Sequence, residues 1–332
     1  MTDTALLSLQ QLPDQARQAW EETDQLDALK NYHHIENIVI AGMGGSAYSY
    51  YVVKSLFEHE LKVPLYLSND YRLPGFVGKK TFVVGSSYSG TTEETIACTK
   101  EAIKKGTLVT AVTAGGELSK ILTEHKLPHY KFDPKHNPAG QPRMGQGYMI
   151  IGLLGILIKI GLIRRPDLNA SLNTLSQHIP AIQQEAERLA TKLRDRNVVF
   201  VAAEHLAGNA HVVRNQTNET AKQFADYHIV PEMNHHLLEG LKNPKDANLS
   251  FVFFNSTLYA PKNQKRMLLT EEVVSKNERE VSRYETKTGD KLAEVFELLL
   301  LGGYLTYHLA AFYGEDPNKI PWVDYFKSKL SS

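Results

Sequence analysis

Apolar strand-like segments and amphipathic helical segments alternate along most of this chain, beginning at Asn37. There, NIVIAGMGGS has the pattern of a buried strand, a glycine turn and the start of a helix. Strands rich in Val, Ile and Leu that alternate with helices are typical of a parallel sheet with both faces covered. Similar strand-like segments follow at 63–68 (VPLYLS), 81–87 (TFVVGSS) and 108–113 (LVTAVT), with a helical segment at 92–105. The first half is therefore predicted to form a three-layer α/β/α domain.

A second series of the same kind begins at Asn197, where NVVFVAAEHLAGNAHVV again has the order strand, turn and helix. Before it come the charged, proline-containing stretch IRRPDLNA and a predicted polar helix at about 172–194. Further strands are predicted at 249–255 (LSFVFFN) and 278–285 (EREVSRYE), and a buried helix at 293–312. The two halves are interpreted as diverged copies of one domain.

The length of 332 residues suits two domains of ordinary size. We predict an α/β protein with two three-layer α/β/α domains, each built on a parallel sheet. An N-terminal helical segment (1–36) precedes the first domain (37–163), and the second domain (164–332) includes a C-terminal helix.

Composition argues against several kinds of partner. Lysine plus arginine (37) balance aspartate plus glutamate (37), so no net charge draws the chain to nucleic acid or to an anionic membrane. The longest apolar stretch, 148–162, contains Lys159 and is shorter than the roughly 18 residues of a membrane span, which favours a buried core helix. The single cysteine, Cys98, excludes an intrachain disulfide, and the polar N-terminus does not resemble a secretory signal. We therefore expect a cytoplasmic protein.

The loop GMGGS at 42–46 follows the first strand and precedes a helix. Glycine allows the backbone to approach a ligand closely, and the N–H groups of the following helix favour an anion such as phosphate. Two alternatives are a tight turn without a ligand and a dinucleotide-binding fold. The strict dinucleotide pattern G-x-G-x-x-G is not completed, and no Walker lysine follows.

The loop at 86–94, SSYSGTTEE, is more specific. Hydroxyl side chains and a glycine lie between the end of an apolar strand and the start of a helix, where several hydroxyls can donate to phosphate oxygens. The alternative is a capping box, with Ser89 or Thr91 as the cap and a glutamate three residues later. That alternative accounts for one hydroxyl only, so phosphate binding is the preferred interpretation.

Six motifs occur in one order along the chain: GMGGS (42–46), SYSGTTEE (87–94), QPR (141–143), NETAK (218–222), PEMNHH (231–236) and GEDPNKIPWVDYFKSKL (314–330). In these motifs the sequence resembles the sugar isomerase (SIS) domain proteins, and within them the bifunctional phosphoglucose/phosphomannose isomerases of archaea and some bacteria. The resemblance implies tandem SIS domains and a homodimer whose active sites lie near the interface and include residues of both chains. It also implies that the substrate phosphate is held by Gly45, Ser46, Ser87, Ser89 and Thr92.

The implied reaction moves a carbonyl between C1 and C2 of a hexose 6-phosphate. Glu219, in NETAK, is the candidate base that transfers the proton between these carbons, since a glutamate shielded from water can act near neutral pH. His235, which follows Pro-Glu-x-x as the family's histidine does, is the candidate for proton transfer during ring opening. The family usually continues His-Asn-Glu, whereas His236 and Leu237 follow here. The alternative for Glu219 is an ordinary solvated helix residue.

Two cations complete the candidate site. Arg143, set between proline and glycine, can stabilise the enediolate charge, with an ordinary surface arginine as the alternative. Lys327 matches the family's C-terminal lysine that assists ring opening, but Lys329 is a rival, and either could simply compensate a helix dipole. The His235–His236 pair does not form a metal-binding motif, because adjacent side chains diverge.

We therefore expect an aldose-ketose isomerase that interconverts glucose 6-phosphate, and also mannose 6-phosphate, with fructose 6-phosphate. The reaction would proceed by ring opening and a cis-enediol intermediate, with no metal and no cofactor. One alternative is amino-sugar phosphate isomerisation, which shares the domain type. The other is a sugar-phosphate-binding regulator without catalysis, although no helix-turn-helix module is evident in the roughly 36 residues before the first strand.

Overall fold

A computed structural model describes residues 3–330 of the chain. Contacts divide the chain into two compact units. The N-terminal unit consists of Gln10–Leu172, and the C-terminal unit combines the residues before Gln10 with those after Leu172. Helices and strands are numbered along the chain, beginning with α1 (Thr4–Gln10).

The N-terminal unit contains one parallel sheet of five strands in the order β2-β1-β3-β4-β5. Its strands are β1 (Asn37–Gly42), β2 (Leu65–Ser68), β3 (Thr81–Ser86), β4 (Leu108–Thr113) and β5 (Tyr130–Lys131). Its helices are α2 (Leu12–Thr23), α3 (Tyr48–Phe57), α4 (Glu93–Lys104), α5 (Gly116–Glu124) and α6 (Gln146–Lys159).

Alternate side chains of these strands cover the two faces of the sheet. Val39 and Val83 share an apolar cluster with residues of α4 and α5, whose members are buried at least 90%. Gly152 of α6 packs on the other face, because a Cβ there would lie 2.9 Å from the Val112 side chain. Helices therefore cover both faces, and the predicted three-layer arrangement is confirmed for this unit. The apolar stretch predicted as a core helix is α6, which is buried from Gln146 to Leu157.

The C-terminal unit contains a parallel sheet of four strands in the order β7-β6-β8-β9. Its strands are β6 (Asn197–Ala203), β7 (Ala225–Val230), β8 (Leu249–Asn255) and β9 (Glu280–Glu285). The helices from α7 onward are α7 (Leu168–Ser176), α8 (Ile179–Leu193), α9 (Ala207–Thr220), α10 (Leu237–Gly240), α11 (Pro261–Lys276), α12 (Lys291–Tyr313) and α13 (Pro321–Leu330). The first strand of each series pairs with the second and the third, and the third pairs with the fourth.

Within residues 3–330, α12 is long and apolar enough by length and composition to span a membrane. However, 78% of its apolar window is buried inside the protein. It packs against α8 and α9. This arrangement is that of a core helix.

The structure differs from the sequence prediction in several local features. The strands β5 and β7 were not predicted; each lies at the edge of its sheet, and β7 has the half-buried polar residues Asp226 and His228 in its middle. The single polar helix predicted at about 172–194 is wrong, because α7 ends at Ser176 and α8 begins at Ile179, with Pro180 in its first turn.

The predicted N-terminal segment, 1–36, is not set apart from the α/β units. Its helix α2 packs on α6, and Gln15 donates to the carbonyl oxygens of Met144 and His136 at 2.9 and 3.0 Å. The backbone N–H of Gly147 donates to Gln15 Oε1 at 3.1 Å. These contacts explain why α2 belongs to the N-terminal unit.

Candidate active site

Two loops meet at the carboxyl edge of the N-terminal sheet. Loop 1 (42–46) follows β1 and loop 2 (86–94) follows β3, and these strands are parallel neighbours with Gly42 opposite Ser86. The Ser46 hydroxyl oxygen accepts a hydrogen bond from the backbone N–H of Tyr88 at 2.9 Å. The Ser86 hydroxyl donates to the Ser46 carbonyl oxygen at 2.7 Å. The two loops therefore form one structure in which Ser46 and Ser87 lie at the same edge of the sheet.

The hydroxyl groups of loop 2 lie close to one another. Ser87 Oγ lies 2.9 Å from Thr92 Oγ1, and Ser89 Oγ lies 2.8 Å from Thr91 Oγ1. The Ser87 hydroxyl also accepts from the backbone N–H of Gly90 at 3.1 Å. Hydroxyl groups can rotate to donate to an oxyanion, so this cluster can hold a phosphate with neutral donors.

The capping alternative is not what the structure contains. Thr92, rather than Ser89 or Thr91, precedes the first residue of α4, and no side-chain cap bond is formed there. Helix N-termini favour anions, so the backbone N–H groups in the first turn of α4 are further hydrogen-bond donors beside the hydroxyls of loop 2. Glu93 and Glu94 lie in the same turn, so an anion bound here would be held by directed donors rather than by net positive charge.

Loop 2 has a defined backbone conformation. Gly90 has φ of +69°, which favours glycine, and a Cβ there would collide with the carbonyl oxygen of Gly115. The carbonyl of Val112, in the neighbouring strand β4, accepts from the N–H of Ser87 at 3.1 Å, and the N–H of Ala114 donates to the Tyr88 carbonyl at 2.9 Å. The loop is therefore held in shape before any ligand binds.

Arg143 lies against loop 1. A Cβ on Gly45 would lie 3.0 Å from the Arg143 backbone nitrogen, so only glycine lets the two segments approach this closely. The Arg143 side chain is 1% exposed, and one of its guanidinium nitrogens donates to Gln141 Oε1 at 2.9 Å. Its carbonyl accepts from Gln146 Nε2 at 2.8 Å. The surface-arginine alternative is therefore wrong, and the structure brings Arg143 together with the predicted phosphate loops.

Tyr88 and Asn137 link loop 2 to the segment that carries Arg143, and sequence reasoning did not assign a role to either. Asn137 Nδ2 donates to the Tyr88 hydroxyl at 2.7 Å and to the Gln141 carbonyl at 3.0 Å. Burial raises the pKa of Tyr88 to about 12, so the phenol stays neutral. The only feature of the sequence that could have indicated a role for Tyr88 was its position between the two serines of SYSGTT.

Glu219 and His235, both in the C-terminal unit, lie at opposite edges of its sheet. The helix α9 connects the parallel strands β6 and β7, so it ends at the amino edge. Asn218 fixes that end, because its side chain bonds the N–H and the carbonyl of Ala225 at 3.1 Å each. His235 follows the far end of β7, whose six residues span about 20 Å. Within one chain, the structure does not bring these two residues together.

The environments of the two histidines differ. His235 is exposed in a turn over Glu232–His235, and His236 Nε2 lies 3.4 Å from a carboxylate oxygen of Glu232. The ring of His236 is 6.0 Å from that of His228, whose pKa is lowered mainly by burial.

Across residues 3–330, no group of three or more His, Cys, Asp or Glu side chains is arranged to hold a metal ion.

The two candidate lysines lie in the last turn of α13. The helix is exposed along its whole length, including Lys327 and Lys329. Lys329 Nζ lies 5.9 Å from the centre of the Tyr325 ring. The choice between the two lysines stays a prediction in favour of Lys327.

Comparison with known proteins places this arrangement in a family. The family model described as "Bacterial phospho-glucose isomerase C-terminal SIS domain" matches residues 182–330. A bifunctional phosphoglucose/phosphomannose isomerase of Caldicellulosiruptor bescii is 30% identical over 340 residues, which cover 98% of this chain and 98% of the relative. This chain belongs to the bifunctional phosphoglucose/phosphomannose isomerase family. The resemblance expected from the six sequence motifs is confirmed.

Two further proteins with other named activities are similar to this chain, one in sequence and one in structure. A D-glucosamine-6-phosphate 4-epimerase of Sulfolobus acidocaldarius is 30% identical over 208 residues, covering 61% of this chain and 63% of the relative. The crystal structure of tagatose-6-phosphate ketose/aldose isomerase from Escherichia coli matches with a TM-score of 0.77 at 14% identity, covering 96% of each chain. At that identity, the match bears on the fold alone, and it confirms the predicted tandem SIS architecture.

The hydroxyl cluster in this family member leads to a direct binding prediction. Thr92→Val keeps the shape of the side chain but removes the hydroxyl next to Ser87. We expect it to weaken the binding of inorganic phosphate about tenfold, the cost of one lost hydrogen bond to an anion. Isothermal titration calorimetry measures the affinity. Thr191→Val, which removes an exposed hydroxyl from α8, is the matched control, and equal affinities in Thr92→Val and the control would contradict the assignment.

Proposed function

We propose that this chain interconverts glucose 6-phosphate and mannose 6-phosphate with fructose 6-phosphate. The observation that carries the proposal is the joined pair of loops at one sheet edge, with Arg143 buried against them, in a chain of this family. The relative from C. bescii has that bifunctional activity in its name and spans nearly the whole chain.

The loops would hold the C6 phosphate. Ser46, Ser87, Ser89 and Thr92 offer hydroxyl donors, Gly45 allows close approach of the backbone, and α4 adds its N-terminal N–H groups. Holding the phosphate fixes one end of the substrate, so that proton transfer at C1 and C2 occurs in a defined orientation. Such a site binds the phosphate equally in substrate and product.

Glu219 would carry out both proton transfers. In the open-chain aldose its carboxylate removes the proton from C2, the C1–C2 double bond forms, and the C1 carbonyl oxygen becomes an enediolate oxygen. A proton moves from the C2 oxygen to the C1 oxygen, and Glu219 returns its proton to C1 as the C2 carbonyl forms. Glucose and mannose differ only at C2, which is planar in the enediol, so both sugars pass through the same intermediate.

Arg143 would stabilise the negative charge of the enediolate. A guanidinium presents planar donors to neighbouring oxygens, and its charge acts more strongly in a buried site than in water. The 1% exposure of Arg143 therefore supports this role. No metal or other cofactor enters the proposed mechanism.

His235 and Lys327 would open the sugar ring by moving a proton from the C1 hydroxyl to the ring oxygen. Since His235 and Glu219 lie at opposite edges of one sheet, we propose that the active site takes them from different chains of a homodimer. The exposed apolar side chains of α13 support an association of this kind: Trp322 is 80% exposed, Tyr325 58% and Phe326 63%.

The amino-sugar alternative keeps one specific observation in its favour, the similarity to a D-glucosamine-6-phosphate 4-epimerase. That match covers less of the chain than the isomerase match does. Activity on glucosamine 6-phosphate, with none on glucose 6-phosphate, would favour it. Recovery of every sugar phosphate unconverted would favour a regulator instead. The balanced charge of the chain supports an enzyme that binds neither nucleic acid nor membranes, and we propose that it is cytoplasmic.

The role of Glu219 is tested by replacing its carboxylate. Glu219→Gln should abolish incorporation of solvent deuterium at C2 of glucose 6-phosphate, because an amide cannot accept the C2 proton. Binding of fructose 6-phosphate should change less than threefold, since the phosphate loops are untouched. Proton NMR in deuterium oxide measures the exchange, and calorimetry measures the binding. Glu239→Gln, at an exposed position, is the control, and wild-type exchange in Glu219→Gln would contradict the assignment.

The composite active site is tested by complementation. Glu219→Gln and His235→Asn chains, each expected to be much less active than wild type when expressed alone, should recover about a quarter of wild-type activity when coexpressed. Half of the dimers are then mixed, and each mixed dimer has one site with both native residues. If Glu219 and His235 act from the same chain, mixed dimers contain no intact site, and coexpression restores nothing.

A further inference from the structure

The residue before the candidate ring-opening histidine is held by a neighbouring helix. Asn234 Nδ2 donates to Thr270 Oγ1 at 2.7 Å, and Asn234 Oδ1 accepts from a guanidinium nitrogen of Arg266 at 3.2 Å. Both partners lie on α11, one turn apart. The segment around His235 contains only a short turn and the four-residue helix α10. Its geometry therefore depends on side-chain contacts from outside the segment.

Thr270 is well suited to hold Asn234 in one orientation. It is 1% exposed, and its hydroxyl donates to the Arg266 carbonyl at 2.6 Å. Because its single proton is used in that bond, the oxygen presents a lone pair to Asn234 Nδ2. A serine could make the same two bonds, whereas a valine of the same shape could make neither.

The helix α11 is itself tied to the sheet. Glu271, next to Thr270, accepts from Asn255 Nδ2 at 2.8 Å and from Arg283 Nε at 2.9 Å. Asn255 ends β8 and Arg283 lies in β9. The helix α11 therefore connects Asn234 to two strands of the sheet, and these contacts fix the orientation of Asn234.

The same segment is also held at its other end. Arg279, 8% exposed, donates to four carbonyl oxygens at 2.6 to 3.1 Å, those of Leu241, Pro244, Lys245 and Ala247. The stretch that follows α10 is thus fixed by side-chain hydrogen bonds, although it contains no regular secondary structure. The contact at Asn234 is the anchor adjacent to the histidine itself.

We propose that Thr270 is a positioning residue that places His235 for ring opening by fixing Asn234. This inference rests on the proposed function of His235. Thr270 is not a catalytic residue; it acts through the amide of Asn234 and the backbone that joins Asn234 to His235. A displaced imidazole would slow ring opening without affecting the hydroxyls that hold the phosphate.

Steady-state kinetics on glucose 6-phosphate provide the first test. Thr270→Val should lower kcat about tenfold and change KM less than twofold, since it removes one hydrogen bond at a distance from the phosphate loops. Thr270→Ser restores the hydroxyl and should retain at least half of the wild-type kcat. Ser275→Ala, which removes an exposed hydroxyl from the same helix, is the control and should behave as wild type.

A double-mutant cycle separates positioning from a general loss of structure. His235→Asn should retain measurable activity, because sugar rings also open slowly in water without a catalyst. If Thr270 acts through His235, adding Thr270→Val to His235→Asn should lower kcat no further. A further drop of about tenfold in the double variant would overturn the proposal, because the effect would then be independent of the histidine.

The outcomes also distinguish this inference from the proposed function. If wild-type protein does not isomerise glucose 6-phosphate, or if His235→Asn is as active as wild type, the proposed function fails. If His235→Asn is slow while Thr270→Val matches wild type, only the positioning role fails. Thermal denaturation of each variant identifies any loss of folded protein before the kinetics are compared.

Discussion

The hydrogen bond from the backbone N–H of Tyr88 to the hydroxyl of Ser46 joins the two loops on which the N-terminal site depends. It is possible because β1 and β3 are parallel neighbours in register, so that the loops after them begin side by side. Glycine at position 45 then lets the Arg143 segment approach. A buried cation and a set of neutral hydroxyl donors are thereby brought to one edge of a rigid sheet, an arrangement suited to a small anionic substrate.

Sheet geometry also explains why the remaining candidates do not gather in one chain. A helix that returns between parallel strands ends at the edge opposite the ligand-binding one, and Glu219 lies in the last turn of such a helix. His235 follows the carboxyl end of the next strand. The same connection that builds a parallel sheet thus separates these two residues, and a second copy of the chain offers a way to combine them. The exposed aromatic side chains of α13 are consistent with such an assembly.

Much of the fold could be predicted from the sequence because most central strands are continuous apolar runs. The strand β3 is buried at every residue, and its pattern is plain in TFVVGS. In contrast, β7 is an edge strand whose middle residues, including Asp226 and His228, are half-buried. Its stability comes from pairing with β6, a contact with no local signature. Pro180, which lies in the first turn of α8, could have marked the break between α7 and α8. The segments before and after it are alike in composition, so the two helices were predicted as one.

The residue types of the candidate site could be predicted from the sequence, but their arrangement in space could not. Hydroxyl groups after a strand predict an anion site, yet the sequence could not decide between a phosphate loop and a cap. The structure argues against the cap, since Thr92 forms no cap bond and lies beside Ser87, and phosphate binding by this loop stays a prediction. The burial of Arg143 and the contact of Asn234 with Thr270 depend on distant segments packing together. Residue type and spacing contain no information on such contacts.

The central claim is that this family member isomerises hexose 6-phosphates without a metal. Carbon NMR of glucose 6-phosphate labelled at C2, incubated with the protein and a chelator, tests it most directly. The account predicts that labelled fructose 6-phosphate and mannose 6-phosphate both appear, at the same rates with and without the chelator. Recovery of the glucose 6-phosphate unconverted, or conversion that the chelator abolishes, would contradict it.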